Sequence, residues 1–370
     1  MQRFIKYPSI EQFRHITKQI QEHACYIGRD ADNQPIFDYL KPKPTLTFLA
    51  TEKIHGTNAA VCYSIPDGMW AQSRERILSM ESDNMGFCFF AMQKEQQLIN
   101  LIIDLAHEHL IDLTTHIISL YGEWAGGSIQ KNSALSGIDK TFIIFQYFKV
   151  SPIEPSENEE TVWYPTTTSI DVYDENTAEH IGIKYIGAEN TEHRILNITN
   201  FPVYQFTIDF NDPNKYINDI IQLVEETIEP NSPVGRQLGQ DNNIGEGLVC
   251  SHLSDTGELY QFKVKGEKHS NSPVKTTTPV DIEKMNKLDE CAAKICHNWR
   301  FEQALTAVFG YNYEQTLSRD KLGQYLKWVA DDTIKEEADI IAEFGFEPKD
   351  VMGRVQTKAK NFFFAVENNA

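Results

Sequence analysis

The sequence predicts an α+β protein in which antiparallel strands precede a helical C-terminal part. Two hairpin signals support the strands: a turn at residues 66–68 (Pro-Asp-Gly) within the apolar stretch 46–73, and Asp-Thr-Gly at 255–257 between two apolar runs. From residue 281 almost to the end, apolar residues recur at helical spacing. Strands followed by a run of helices is the order typical of α+β chains.

The remaining elements follow from local patterns. Residues 9–23 are predicted to form a helix, because Ser9 and Gln12 match a capping box ahead of an apolar stripe. The other predicted segments are a helix at 88–110, strands near 117–123 and 141–148, an acidic insert at about 151–240 and a polar linker at 266–280. The predicted domains are therefore residues 1–268 and residues 281–370.

The composition is that of a soluble globular protein, with 41% hydrophobic and 24% charged residues in a chain of 370. No apolar run is long enough for a membrane span, and the N-terminus lacks the apolar core of a signal peptide. We therefore expect a cytoplasmic protein that has no membrane partner. The six cysteines lack the spacing of a metal or haem site, which favours reduced, mostly buried thiols.

The negative charge is unevenly distributed along the chain. Residues 151–240 hold sixteen Asp and Glu but four Lys and Arg, and so contribute −12 of the net charge of −19. A basic groove elsewhere on the molecule is compatible with this distribution. The charge therefore does not exclude a nucleic-acid substrate, although it predicts weak non-specific binding.

The most informative motif is EKIHGTN at residues 52–58, which directly follows the apolar run 46–50. It places Lys53 three residues before Gly56, the arrangement expected of a lysine that attacks a nucleotide phosphate and carries the nucleotide covalently. An amine attacks only when it is neutral, so such a site needs nearby cations or burial to lower its pKa.

Lys263 and Lys265 are candidates for those nearby cations. They alternate along one predicted strand, so both side chains lie on the same face. A Lys-x-Lys pair by itself is more often a solvated strand face. Its position after Lys53 and after two acidic elements favours a catalytic, phosphate-binding role.

Two carboxylates, Glu123 and Glu246, lie at predicted strand ends beside glycines. Carboxylates in such positions suit a ribose hydroxyl or a hydrated magnesium ion, and phosphoryl transfer needs such a metal. Either residue alone could equally be a surface acid at the end of a strand.

Two further candidates are less specific. Phe145 alternates with Ile144 in an apolar run and could stack on a purine, although core packing explains the same pattern. Arg74 could bind a phosphate, but the pattern alone does not separate it from Arg76, and both could be solvated surface arginines. His55 shows no chemical partner in the sequence and is interpreted as a fixed part of the nucleotide loop.

Taken in order, these motifs resemble the nick-sealing branch of ATP-dependent RNA ligases, which includes the second RNA ligase of T-even phages and the kinetoplastid RNA-editing ligases. The resemblance rests on EKIHGTN at 52–58, on GEWAGGSIQKN at 122–132, and on the pair EGLV at 246–249 and FKVK at 262–265. It extends to the helical C-terminal part. The first two stretches are specific, whereas the last pair is common to many covalent nucleotidyltransferases.

The resemblance implies a covalent nucleotidyltransferase domain of ATP-grasp-like antiparallel sheets, followed by a small all-helical domain. It also implies that Lys53 takes AMP in a phosphoramide bond. The implied nucleotide-binding residues are Glu52, Ile54, Asn58, Arg74, Glu123, Phe145, Glu246, Lys263 and Lys265. Among them Glu123 would bind ribose, Phe145 would stack on adenine, and Glu246 would engage the water shell of a metal ion.

The implied reaction joins RNA 3′-hydroxyl and 5′-phosphate ends through a lysyl-AMP and an RNA-adenylate, for RNA repair. The implied cofactors are ATP and Mg²⁺, with Mn²⁺ as a substitute, and the implied partners are nicked or double-stranded RNA ends, with no obligate protein partner. For a bacteriophage protein the location would be the host cytoplasm. Positive charge near the C-terminus, at Lys349, Arg354, Lys358 and Lys360, would help to dock RNA, or is a charged helix face over a packed aromatic patch.

Two departures and three alternatives stay open. Many relatives have a lysine where this chain has Ser251, and an acid where it has Gln146, so the nucleotide preference is not settled by sequence. The alternatives are a DNA ligase, a GTP-using capping enzyme and a catalytically dead RNA-binding homologue. The match at 122–132 argues against the first two, and intact Lys53, Glu246, Lys263 and Lys265 argue against the third.

Overall fold

The computed structural model describes residues 2–29, 33–130, 133–154, 161–167, 172–174, 179–181, 189–241, 243–267 and 281–367. Lys131 and Asn132 of the second motif, most of the predicted linker and parts of the acidic stretch lie outside these residues. The chain forms two compact units. The first comprises Met1–Thr17, Thr45–Asp209 and Tyr216–Thr278, and the second comprises Lys18–Pro44, Phe210–Lys215 and Pro279–Ala370.

The strands of the described residues include the two predicted hairpins, at residues 57–73 and 247–265. They are β1 (Glu11–Gln12), β2 (Tyr26–Arg29), β3 (Pro35–Phe37), β4 (Thr45–Glu52), β5 (Thr57–Ser64), β6 (Gly68–Ser73), β7 (His116–Ala125), β8 (Thr141–Ile144), β9 (Tyr147–Pro152), β10 (Val162–Pro165), β11 (Val172–Asp174), β12 (Glu179–Ile181), β13 (Ile195–Asn197), β14 (Val203–Asp209), β15 (Gly247–Leu253) and β16 (Leu259–Lys265).

Two large sheets build the first unit. One has the order β1-β16-β15-β4-β14-β11-β12, and the other has the order β10-β9-β7-β5-β6, with β8 paired to β7 and β13 paired to β8. Most of the pairs are antiparallel, as predicted, but β1 runs parallel to β16, β11 to β14 and β13 to β8. The acidic stretch supplies β10 and β14 to these sheets, and β14 pairs with β4 along its whole length.

The helices are α1 (Phe13–Cys25), α2 (Phe87–Gln93), α3 (Glu95–Glu108), α4 (Ile217–Leu223), α5 (Pro233–Gln237), α6 (Ile282–Ile295), α7 (Asn298–Phe309), α8 (Tyr313–Thr316), α9 (Leu322–Glu336), α10 (Ala338–Glu343) and α11 (Pro348–Glu367). Helices α2 and α3 bury Phe87, Leu98 and Ile102 against Leu120 and Phe142 of the β7–β8 sheet. Of the helices within the described ranges, none has the length and apolarity to cross a bilayer.

The second unit has its own apolar core, which is formed mainly by α6, α7, α9 and α11. Arg300 lies within this unit at 1% exposure, and its guanidinium binds Asp332 at 3.0 Å and Glu337 at 2.6 Å. The helical pattern is interrupted near Gly310 and Gly345, as the sequence predicts.

Of the four C-terminal cations, Lys360 lies over an aromatic patch, with its ammonium 5.8 Å from the ring centroid of the buried Phe364. Arg354 pairs with Asp289 at 2.7 Å, and the Lys360 ammonium lies 4.1 Å from the Tyr39 ring centroid. These contacts favour the charged-face interpretation of the cluster.

Three local predictions are wrong. The helix predicted at 88–110 is two helices, α2 and α3, separated at Lys94. The first helix begins at Phe13 rather than at residue 9, because Glu11 and Gln12 pair with Phe262 and Lys263 at the sheet edge. That long-range pairing overrides the local capping pattern. The predicted strand 141–148 is interrupted after Ile144, since β8 and β9 pair with different segments of β7.

Candidate active site

A cleft in the first unit brings the predicted motifs together. An inner pocket of about 480 Å³ and an outer pocket of about 910 Å³ share five lining residues, so they form one continuous cleft. The shared residues are Tyr7, Ile10, Lys53, Glu123 and Phe145.

Lys53 follows directly on β4, and sheet pairing fixes its position. Glu52 is opposite Leu248 across β4 and β15, and the Lys53 backbone N–H donates to the Gly247 carbonyl at 2.8 Å. Gly247 in turn is opposite Lys265 on β16. A side chain at Gly247 would clash, since a Cβ there would lie 2.1 Å from the Val264 carbonyl oxygen.

The Glu246 carboxylate contacts three basic side chains of the site. The residue is 4% exposed, and its carboxylate lies 2.8 Å from Lys53 Nζ, 2.6 Å from Lys265 Nζ and 3.1 Å from His55 Nδ1. Burial works against its charge, but the hydrogen bond from His55 and the charges of the two lysines outweigh burial. They hold the pKa of Glu246 well below its usual range. The carboxylate is therefore ionised at neutral pH.

Glu52, the last residue of β4 and the neighbour of Lys53, is buried. Its carboxylate accepts hydrogen bonds from the Ser232 hydroxyl and from the Val234 backbone N–H, the latter at 2.9 Å. Burial raises the pKa of Glu52 to about 7, although both hydrogen bonds act in the opposite direction. The short helix α5 thus fixes Glu52 at the wall of the inner pocket.

Glu123 and Asn58 face each other across β5 and β7. The Glu123 carboxylate accepts a hydrogen bond from the Gly56 N–H at 3.1 Å. A Cβ at Gly56 would lie 2.5 Å from the Trp124 carbonyl oxygen, so only glycine lets the loop approach β7 this closely. Burial raises the pKa of Glu123 to about 7; Lys53 opposes this shift and Glu246 adds to it.

Phe145 lies in the break between β8 and β9. Its N–H donates to the Tyr121 carbonyl at 2.8 Å, and its ring lies 5.3 Å from the Tyr7 ring. The alternation predicted for this run is correct: Phe142 and Ile144 pack into one core, while Phe145 lines the cleft. An aromatic wall of this kind suits a flat nucleobase.

The basic side chains contact an N-terminal segment, residues 2–12, which we call the strap. Lys263 Nζ donates to the Ile10 carbonyl at 2.8 Å, and Arg74 Nη2 donates to Ser9 Oγ at 3.3 Å. Partial burial, followed by repulsion from Lys265, Lys53 and Arg74, lowers the pKa of Lys263. The Arg76 guanidinium, by contrast, donates to Ser82 Oγ at the surface. Arg74 therefore lines the cleft, whereas Arg76 is not among its lining residues.

Every predicted site residue lies in this cleft or in direct contact with it. Glu52, Lys53, Ile54, Glu123 and Phe145 line the inner pocket, while Asn58, Arg74, Glu246 and Lys263 line the outer one. Lys265 joins them through Glu246. Their roles in binding or catalysis stay predictions.

The sequence analysis missed several lining residues. They are Tyr7, Ile10, Thr51, Ile198, Val249 and Gln261. Tyr7, Ile10 and Ile198 lie far in sequence from the motifs. Thr51, Val249 and Gln261 lie within or next to a motif, but no local pattern shows that their side chains face the pocket. His55 also has a partner that the sequence did not reveal, since it lies 3.1 Å from Glu246.

A divalent cation would have one strong protein ligand here. Within the described ranges, no group of three or more His, Cys, Asp or Glu side chains is placed to hold a metal ion. The ionised Glu246 nevertheless fits Mg²⁺ or Mn²⁺, because Mg²⁺ commonly keeps several waters and binds through one or two carboxylates plus substrate phosphates.

A family model described as RNA ligase matches residues 46–265, from the start of β4 to the end of β16. The chain belongs to the RNA ligase family. The match covers more than half of the chain and contains all of the predicted site residues. Comparison with curated protein sequences gives no match.

Similar solved structures include several of an RNA ligase from Naegleria gruberi. A mutant with AMP and manganese is 16% identical, with a TM-score of 0.39, and the match covers 73% of this chain and 58% of that one. A mutant with ATP and manganese is 16% identical, with a TM-score of 0.39, and the match covers 74% of this chain and 59% of that one. The structure with pyrophosphate is 16% identical, with a TM-score of 0.37, and the match covers 74% of this chain and 60% of that one. This chain thus covers less than two thirds of the protein that it matches.

Proposed function

We propose that this protein is an ATP-dependent RNA ligase that uses Lys53 as its nucleophile. The observation that carries the proposal is the position of Lys53 Nζ, held 2.8 Å from Glu246 in a cleft that Arg74 and Lys263 also line. Family membership supports the substrate class. A nucleotide with its base in the inner pocket would extend its phosphates towards these cations.

The first step forms a covalent adduct. Lys53, which pairs with Glu246 as an ammonium, first releases a proton to water. The resulting neutral amine attacks the α-phosphorus of ATP, a P–N bond forms, the bond to the β-phosphate breaks, and pyrophosphate leaves. A second amine proton passes to water. Lys263 and Arg74 are in position to contact phosphate oxygens and stabilise the developing charge.

The next two steps join the RNA. An oxygen of the RNA 5′-phosphate attacks the adduct, which forms a 5′–5′ pyrophosphate bond and releases Lys53. A 3′-hydroxyl then attacks the RNA 5′-phosphorus, forms the phosphodiester and expels AMP. Positioning of the ends, rather than acid–base groups, would supply most of the acceleration.

The metal would be held by Glu246 through water and by the nucleotide phosphates. When bound, it supplies positive charge that neutralises the charge developing on the phosphoryl oxygens. We propose that the ligase acts in RNA repair. We also propose that the helical second unit helps to dock RNA ends. Nicked duplex RNA is the substrate class proposed.

Sealing of a 5′-labelled nicked RNA duplex, compared with the same nick in DNA, tests the proposal. We expect ATP-dependent sealing of RNA, loss of sealing in Lys53→Ala, and recovery in that variant when the RNA end is supplied already adenylated. Recovery is expected because the last step needs no lysine nucleophile. Preferential sealing of DNA would identify a DNA ligase, and no joining of either nick, even from an adenylated end, would contradict a ligase role.

A further inference from the structure

The inner pocket contains a buried amide that the steps above do not use. Gln146 lies directly after Phe145 and is 4% exposed. Within the described ranges, neither Oε1 nor Nε2 of this side chain has a hydrogen-bond partner. A buried polar group without a partner is costly, so an unpaired amide at the wall of a pocket indicates that a ligand pairs with it.

The backbone around this amide is well anchored. The Gln146 carbonyl accepts hydrogen bonds from the Thr166 N–H at 2.9 Å and from the Thr166 hydroxyl at 3.0 Å. The Thr166 hydroxyl also lies 2.9 Å from the Phe145 carbonyl and accepts a bond from Asn197 at 3.1 Å. The side chain is therefore presented to the pocket from a fixed position.

A second polar group reaches the same pocket through a chain of hydrogen bonds. The Tyr7 hydroxyl donates to Gln261 Oε1 at 2.8 Å, and Gln261 Nε2 donates to Ser251 Oγ at 3.0 Å. Ser251 is 2% exposed and lines the inner pocket. Because its oxygen already accepts from Gln261, its own hydrogen is available to donate to a ligand.

Together these side chains offer one acceptor and two donors beside an aromatic wall. Adenine presents one amino donor next to ring-nitrogen acceptors, which complements this set. The remaining wall is apolar, with Ile54, Ile198 and Val249, as expected for the flat face of a base.

We propose that Gln146 and Ser251 read the base edge of the nucleotide and select adenine. This inference rests on the proposed nucleotide-binding role of the cleft. Gln146 accepts a hydrogen bond from the 6-amino group and donates to a neighbouring ring nitrogen, while Ser251 donates to another ring nitrogen.

The test is equilibrium binding by calorimetry, with Lys53→Ala as the parent so that no adduct forms. The probes are ATP and purine riboside triphosphate, which lacks only the 6-amino group. We expect the parent to bind ATP about tenfold more tightly than the analogue. Adding Gln146→Met should weaken ATP binding and bring the two affinities to within about threefold of each other.

Further variants separate base reading from a general effect on the pocket. Gln146→Glu keeps an acceptor, so it should retain discrimination in favour of the 6-amino group. Ser251→Ala should weaken both probes equally, because both carry the ring nitrogens. Gln96→Leu, on an exposed helix face, should behave as the parent does. Thermal unfolding of each variant checks that it is folded.

Three outcomes would overturn the inference. They are equal binding of ATP and the analogue by the parent, full discrimination retained in Gln146→Met, or tighter binding of GTP than of ATP by the parent. Failure of the proposed function gives a different result: ATP binds selectively to the parent, yet wild-type protein forms no adduct and seals no RNA.

Discussion

At Glu246 a single carboxylate is shared by three basic side chains. Its oxygens lie 2.6 to 3.1 Å from Lys265, Lys53 and His55, so an ion pair fixes the position of the proposed nucleophile Lys53. The charge of Glu246 therefore positions Lys53 and balances the cations that a triphosphate would later contact.

Replacing Glu246 tests this positioning. Glu246→Gln keeps the shape of the side chain but removes the charge, so we expect adduct formation from ATP to slow by on the order of 100-fold. Glu302→Gln, at an exposed carboxylate of the second unit, is the control and should leave the rate unchanged. The measurement is the single-turnover rate of AMP transfer to the protein. Equal rates in the two variants would contradict the role of Glu246 in positioning Lys53.

Glu52 gives a pH dependence of stability with a defined sign. Its pKa is about 7 in the folded protein and near 4.5 in the unfolded chain, so the folded state holds the proton more strongly. The stabilisation due to this proton is present below pH 4.5 and is lost as pH rises through 7. Glu246 has the opposite sign, but its change occurs below pH 5.

Urea unfolding at pH 5 and pH 8 measures this effect. Wild type should lose on the order of 2 kcal/mol more stability than Glu52→Gln over that interval, because glutamine keeps hydrogen bonds with Ser232 and Val234 without titrating. The same pH dependence in both proteins would show that Glu52 does not carry a raised pKa.

At the scale of elements, the strap links the N-terminus to both large sheets. The Ile5 N–H donates to Gln72 Oε1, and the Ile5 carbonyl accepts from Gln72 Nε2 and from the Tyr121 hydroxyl. The Ile10 carbonyl accepts a hydrogen bond from Lys263. The strap therefore forms one wall of the cleft and contacts Lys263, a phosphate-binding candidate.

Substitutions at Tyr7 separate the hydrogen bond from the packing of the strap. Tyr7→Phe removes the bond to Gln261 and should lower the free energy of unfolding by about 1 kcal/mol. Tyr7→Ala also removes ring contacts with Phe145 and Tyr121 and should cost about 3–5 kcal/mol. Tyr311→Ala, on a residue 93% exposed, is the control. Equal losses in both Tyr7 variants, by urea denaturation, would contradict the packing role.

Features that depend on neighbouring residues were predicted from the sequence, whereas contacts between residues far apart in sequence were not. Lys53, Gly56 and Asn58 lie within one motif, and Lys263 and Lys265 share a face through simple alternation, so local reasoning finds them. Tyr7 contacts Gln261 and Glu52 contacts Ser232, across 254 and 180 residues. Such contacts depend on the sheet order, which the sequence alone does not specify. The break at Phe145 has the same origin, because β7 pairs with both β8 and β9.

At the scale of the molecule, the two units each have their own core, and every residue of the cleft belongs to the first. The net charge of −19 is carried mainly by residues 151–240, which contribute β10 and β14 to the sheets of that unit. These strands of the acidic stretch are thus part of the first unit. The cations of the cleft come from elsewhere: Lys53 follows β4, Arg74 follows β6, and Lys263 and Lys265 lie on β16.

Nucleotide binding should therefore stabilise one unit. In hydrogen-exchange measurements on Lys53→Ala, ATP should slow exchange in β4, β7, β15 and β16, because a ligand that binds only the folded state stabilises the region that it contacts. The amides of α7, α9 and α11 should exchange at unchanged rates. Protection confined to the helices would place the nucleotide site outside the cleft.

The most direct test of the account is the intact mass of the purified protein after incubation with ATP and Mg²⁺, followed by peptide mapping. Pyrophosphate treatment beforehand removes any AMP already attached. We expect a gain of one AMP, located on Lys53 and absent in Lys53→Ala. No gain, or an adduct on a different residue, would contradict the assignment of Lys53 as the nucleophile.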